Sequence, residues 1–467
     1  MGLARSRELM FCDHERFRAG VSEGRTIVAR LSAIALFVAI PAASVATAKA
    51  KAKHSSTDPA QHLTRELKGS LATHPGAHLR LSTDLGTIHI HTTSKENVDY
   101  RVSLETDAAT DGAVDLLKQF TLAAHETSDG ATLRGDVSGK RCSGRLWVTF
   151  DVSVPRNYNL DVTTHGGNIE TDDVDGRVTL ITSGGNITAG SIGGSARLET
   201  QGGHITIKNV NGELDAHTGG GHISAGAITG SATLRTGGGH IRVTSIGGIA
   251  RLDTGAGGNI SVEKSGGELV AETRGGQIEI GEAGGQVHAK TGGGGIRVIR
   301  SSGPTNLESA DGSIYLTQIN GAVRASTNAG GITAWFGNDA KKPANCDLQS
   351  SDGDIIVYLP RQLPITIDAA IQLGDDHGLF VDPALPIKIS YGEQPNGSHT
   401  VHAEGALNGG GEVLRLHTIA GNIRLMLGDA NRQLQLSNQQ LEQLQRKLSE
   451  LQARLPGREV SDGPSSN

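Results

Sequence analysis

The sequence predicts an all-β chain: a single-chain parallel β-solenoid, or β-helix, of 18-residue coils, plus a short C-terminal helix. Three observations predict it. Isoleucine follows a glycine corner at 169, 187, 205, 223, 241, 260, 278, 296, 314 and 332, in steps of 18 residues with one step of 19. Between corners the apolar residues alternate, as in Ile205 and Ile207 or Leu214 and Ala216, and a period of two is strand rather than helix. The composition agrees, because 65 of 467 residues are Gly, 36% are hydrophobic and only 3% are aromatic, which suits many thin layers better than one thick core. A net charge of −6 supplies no basic surface for nucleic acid.

Residues 1–50 read as a secretory signal with a long basic lead. Arg16, Arg18, Arg25 and Arg30 precede an apolar run from Leu31 to Ala48, and small residues place cleavage near Ala48 or Ala50. An uncleaved membrane anchor is the alternative, against which the run falls short of the ~20 apolar residues of a spanning helix. The chain is expected to be exported, to the periplasm, the cell surface or the medium. Residues 51–78 are polar and irregular and read as a linker, and 79–163 as an N-terminal β capping region.

The regular repeats occupy 164–336. A hydroxyl residue stands five before most of the isoleucines, at Thr164, Thr182, Thr200, Thr218, Thr236, Thr273, Thr291, Ser309 and Thr327; Thr254 is displaced by the extra residue of "TGAGGNI". A second glycine corner recurs at 176, 194, 212, 230, 248, 267, 285, 303 and 321. Coils stacked at ~4.8 Å make a rod roughly 45 Å long. Parity turns the threonines inward, as a ladder satisfying its own hydrogen bonds, and turns outward a column reading Ile181, Glu199, His217, Arg235, Asp253, Glu272, Lys290, Glu308.

The same phase recurs outside this run, with Thr83 before Ile88, Ser350 before Ile355 and Thr418 before Ile423. Residues 337–427 therefore form a C-terminal β region. "VPRNYNLDV" and "LPRQLPITI" suggest one element used at both ends, and the bulky Trp335 and Phe336 are expected to close the regular run. Beyond it, Leu434, Leu441, Leu444, Leu448, Leu451 and Leu455 mark a leucine-heptad helix over 430–456, interrupted by Ser437. It either joins copies into a homo-oligomer or lies as a lone amphipathic helix on the solenoid. Residues 457–467 read as a disordered tail.

Glycine turns that lead into strands do not make a phosphate loop, which needs a following helix N-terminus. Calcium rolls need an Asp in each turn, and units such as "TGGGHISAGAI" lack one. The weak metal candidates are His204, His222 and His240, which fall at one position of three successive coils, with Asn168, Asn186, Asn259 and Gln277 continuing the column. Stacked imidazoles could hold a cation such as zinc or respond to mild acid, but Asn, Gln and His also serve as structural corner ladders. No cofactor and no catalytic residue is expected. Asp172, Asp173 and Asp175 are the carboxylates a polysaccharide-active solenoid enzyme would need, yet nothing in the spacing gives them a partner base. Cys142 and Cys346 flank the regular coils, too far apart along a straight rod for a disulfide, whose Cα atoms lie within about 7 Å.

The units "T-x-x-G-x-I" after a Val-Pro strand, from "VPRNYNLDVTTHGGNIETDDVDGRVTL" onward with "TDLGTIHI" early and "TIAGNIRL" late, carry a resemblance. The chain resembles the bacterial putative-adhesin family of domains of unknown function over roughly residues 80–427, and is similar to head-domain putative autotransporter adhesins. The resemblance implies an exported β-solenoid with a surface or envelope role and supplies no catalytic residues. The expected function is non-enzymatic adhesion or cell-envelope interaction, with a surface glycan or protein as partner and no nucleic acid. An envelope scaffold or sensor that binds another protein is the alternative, and a polysaccharide-active solenoid enzyme the third.

Overall fold

The computed structural model describes residues 63–106, 113–138, 145–337, 344–373, 376–393 and 398–428. The segments read as a signal (1–50), a leucine-heptad helix (430–456) and a tail (457–467), together with Cys142, lie outside the described residues.

Every regular coil gives one strand to each of two sheets. One sheet, called here the isoleucine sheet, contains Ile187–Ile192, Ile205–Val210, Ile223–Ile228 and Ile241–Ile246 in succession. The other, the threonine sheet, contains Ala196–Thr200, Leu214–Thr218, Ala232–Thr236 and Ala250–Thr254. Successive strands pair in parallel with equivalent residues in register, Ile205 on Ile223 and Thr218 on Thr236. Backbone bonds also join the corners, the amide of Ile205 donating to the carbonyl of His222 at 2.9 Å. The fold is the parallel β-solenoid that the period predicts.

Ile205, Ile207, Leu214 and Ala216 are buried between the sheets. The isoleucine-sheet strand adds a core position that strict alternation misses. Lys208 and Asn209 both point outward, and Val210 then turns in; Ile228 and Ile246 do the same in their coils. Two successive outward residues bend the strand, which lets a six-residue segment close the coil over a five-residue partner.

The glycine corners are required by proximity rather than handedness. A Cβ on Gly221 would overlap the carbonyl oxygen of Gly203 in the coil before it, whereas one on Gly220 meets nothing, and neither residue has a left-handed φ. The threonine ladder differs from the one expected. Its hydroxyls do not bond one another: Thr218 Oγ1 accepts from the Gly221 amide at 3.1 Å and donates to the Gly203 carbonyl at 2.8 Å. Thr200, Thr236 and Thr291 repeat both bonds, so each hydroxyl ties its own corner to the previous one.

Both ends are closed by excursions from the stack. After a first coil of His78–Thr83 and Thr87–Thr93, the chain runs through Asn97–Thr106, a helix at Ala113–Gln119, the hairpin Phe120–Thr127 and Gly130–Val137, and Leu146–Pro155. Only then does Asn159–Thr164 stack on the inner side of His78–Thr83. The excursion covers the outer side of that first coil through the pairs of Leu146–Pro155 with Thr87–Thr93 and of Gly130–Val137 with His78–Thr83. The linker expected over 51–78 is partly replaced by structure, because Leu63–Ala72 is a strand lying antiparallel on Asn97–Thr106. Its main-chain groups pair with a strand whose register no local pattern announces.

At the far end Trp335 and Phe336 do not close the run. Cys346–Ser350 and Ile355–Leu359 continue it in register, and Val413–Thr418 with Ile423–Leu427 forms a further coil on top. The segments between, Ile365–Ile371, Leu379–Val381, Ile387–Glu393 and His399–Leu407, lie outside that last coil. Phe336 is core, while Trp335 faces out and stacks on Tyr358 of the next coil, ring centroids 3.5 Å apart. Pro155 and Pro360 each stand where an isoleucine-sheet strand ends and the chain crosses to the threonine sheet, which accounts for the paired "VPRNYNLDV" and "LPRQLPITI".

Candidate functional site

His204, His222 and His240 stand where their spacing places them, at the corner just before each isoleucine strand. Their rings stack at 4.9 and 4.8 Å between centroids, tilted by 6° and 4°. Each Nδ1 accepts a hydrogen bond from the backbone amide of the next coil. His204 takes the His222 amide and His222 the His240 amide, both at 2.9 Å, and His240 takes the Asn259 amide at 2.8 Å. Asn168, Asn186 and Asn259 do the same with Oδ1, at 2.7–2.9 Å, so the column from Asn168 to Asn259 is one acceptor ladder.

This bonding decides the chemistry of the column. An Nδ1 that accepts from an amide carries no proton, so the neutral ring holds its proton on Nε2. A metal-ligating histidine has the opposite arrangement, its second nitrogen donating to an oxygen while the first offers a lone pair. Here Nε2 would have to surrender its proton with no acceptor-side support, and the parallel rings do not converge on a point. The column as bonded is a structural acceptor ladder. Protonation at Nδ1 would also cost each ring its amide donor. The pKa of His222 lies below the ordinary histidine value, first because stacking on both faces hides the ring from water and then because His204 and His240 flank it.

The three aspartates diverge. Asp172 receives His91 Nδ1 and the Thr92 amide at 3.3 Å, Asp173 receives the Ser191 amide at 2.8 Å, and Asp175 pairs with Arg156 at 3.2 Å. Each of the three has its own partner, and no partner is shared. The contacts His91–Asp172 and His89–Glu170, the latter at 3.2 Å, escape the sequence because the partners lie 81 residues apart, joined only by the stacking of distant strands. Cys346 is buried, and burial pushes its thiol up to about 11, which leaves it an inert core side chain.

The outward column of the threonine sheet is as parity predicts. His217, Arg235, Asp253, Glu272 and Lys290 are exposed in successive coils, and Glu199 and Glu308 half-exposed. Lys290 reaches Glu308 in the next coil at 3.2 Å, and this contact holds the Glu308 carboxyl below the usual range. On the opposite sheet Glu282 takes Arg300 at 2.5 Å and Lys264 at 3.9 Å. Signs mix along each column, so the rod presents repeated polar stripes rather than one large field.

No family model matches the chain, and no curated protein does. Solved structures do. The chain is similar to a putative cell adhesion protein from Clostridium sporogenes, with 8% identity over 78% of this chain and 100% of that one at a TM-score of 0.15. It is also similar to a putative adhesin from Bacteroides fragilis, with 14% identity over 64% of this chain and 96% of that one at a TM-score of 0.19.

Proposed function

We propose that the protein is an exported, non-enzymatic rod that binds a cell-envelope or surface glycan or protein through the outward columns of its coils. The observation that carries this is the straight register of the threonine sheet, which sets Arg235, Asp253, Glu272, Lys290 and Glu308 one coil apart on a rigid support. Contacts too weak to hold singly add up when a backbone repeats them at fixed spacing. The divergence of Asp172, Asp173 and Asp175 supports the non-enzymatic part.

Binding of the purified protein to whole cells and to a glycan array tests it. Reversing the column with Arg235→Glu and Lys290→Glu should abolish binding while leaving the coil stack folded. Undiminished binding by that variant, or capture of one envelope protein and no glycan or cell, sinks the adhesive reading in favour of other surfaces or of a scaffold. Polysaccharide cleavage lost on Asp172→Asn or Asp175→Asn would sink both. Protease treatment of intact cells, followed by fractionation, tests export.

A further inference from the structure

The outer face of the isoleucine sheet changes character toward its C-terminal end. Two outward columns cross it, one residue of each per coil. The first is polar as far as Glu279 and Arg297, then reads Tyr315, Thr333 and Ile356 before Arg424. The second is polar or glycine as far as Gly281, then reads Ile299, Thr317, Trp335, Tyr358 and Met426. Ile299, Tyr315 and Met426 are 39–43% exposed, and a contiguous apolar run of this kind, in a chain with 3% aromatic residues, marks an interaction surface.

The occupant this face fits is the same face of a second copy. Two flat sheets laid face to face are related by a two-fold axis in the plane between them, running along the rods or along the strands. An axis along the rods sets each coil against its own equivalent, so Arg297 comes beside Arg297 and Arg424 beside Arg424, like charge on like. An axis along the strands makes the rods antiparallel, and each column then meets itself with the order of coils reversed. Placed between the coil of Tyr315 and Thr317 and the coil of Thr333 and Trp335, that axis sets large side chains on small ones. Trp335 faces Thr317, Tyr315 faces Thr333 and Met426 faces Gly281, while Tyr358 meets Ile299. The same operation brings Arg424 onto Glu279 of the other copy at both ends of the apolar run. Within its own chain Glu279 has no ion pair among the described residues, and Arg424 makes one long contact, 3.9 Å to Asp354. Six coils at ~4.8 Å by five residues at ~3.4 Å make about 500 Å² on each copy, about 1,000 Å² in all, where specific interfaces begin.

We propose that two copies pair through this face as an antiparallel dimer, with Trp335 and Tyr315 at its centre and the Glu279–Arg424 contacts at its ends. The two threonine sheets are then turned outward on opposite sides, which doubles the columns offered to a surface. The full chain should sediment as a dimer. Glu279→Arg alone and Arg424→Glu alone each set like charges face to face twice per dimer, and each should raise the dissociation constant about tenfold or more. Mixing the two variants should restore the dimer as a heterodimer, because each supplies the charge that the other has lost, and its formation shows that both are folded. A full chain that stays a monomer up to about 100 µM overturns the proposal and leaves the face to a different partner. A dimer that neither variant weakens also overturns it, and places the contact between copies elsewhere. Two weakened variants that fail to pair with each other rule out the antiparallel arrangement and with it the proposal.

Discussion

A threonine hydroxyl and a glycine without a side chain hold each corner against the one before it. Replacing Thr218 with Val keeps the shape but strips partners from the buried Gly221 amide and Gly203 carbonyl, a loss of about 1–3 kcal/mol. Urea unfolding should register it as a lower midpoint. Gly221→Ala should destabilise by about 1–3 kcal/mol through overlap with the coil before it. Its neighbour Gly220→Ala, facing open space, should stay within about 0.5 kcal/mol of the parent, and equal effects would refute the proximity argument. The histidine ladder predicts acid sensitivity with a definite sign. His222 has a lowered pKa when folded, so the unfolded chain takes up the proton first. Stability from this ring is complete above its unfolded value of about 6.5 and falls as pH drops from there through the lower folded value. His222→Asn keeps an acceptor for the His240 amide, as Asn186 and Asn259 do in their coils, and should lose less melting temperature than the parent between pH 7.5 and pH 5.

Strands and corners were legible wherever they repeat. The isoleucine, threonine and glycine columns each recur at one spacing, and a side chain that must stack on its own equivalent leaves that period in the sequence. What does not repeat was hidden. The bend at Lys208 and Asn209 breaks the alternation that identifies strands, so no period marks Val210 and its equivalents as core. Leu63–Ala72 finds its partner only through an antiparallel register with Asn97–Thr106. The histidine column is visible as a column, yet the direction of its hydrogen bonds is set by the height of the next coil's amide. The coil is therefore the unit that can be added or removed. Deleting residues 205–222, one full period from an isoleucine to the histidine before the next, should leave a folded rod shorter by ~4.8 Å in solution scattering. Deleting 205–213, half a period, brings Leu214 to the place of an isoleucine and should unfold the neighbouring coils, seen as lost amide protection.

On the scale of the whole molecule, each coil contacts only the two beside it, so the rod lives by its neighbours and by its two ends. The ends are built alike in one respect. The segment that covers the first coil lies between the first and second coils in the chain, and the segment that covers the last lies between the last two. This placement fixes the order in which the parts become available wherever the chain folds as it is delivered, N-terminus first. The N-terminal cover emerges before any regular repeat, so each new coil can be laid on a finished template, one period at a time. At the other end the order is inverted: Ile365–Ile371 and Leu379–Val381 emerge before Val413–Thr418 and Ile423–Leu427, which must take their place between the rod and a lid already synthesised. Assembly is then vectorial until its last step, and that step, an insertion rather than an addition, is where a stalled intermediate would collect.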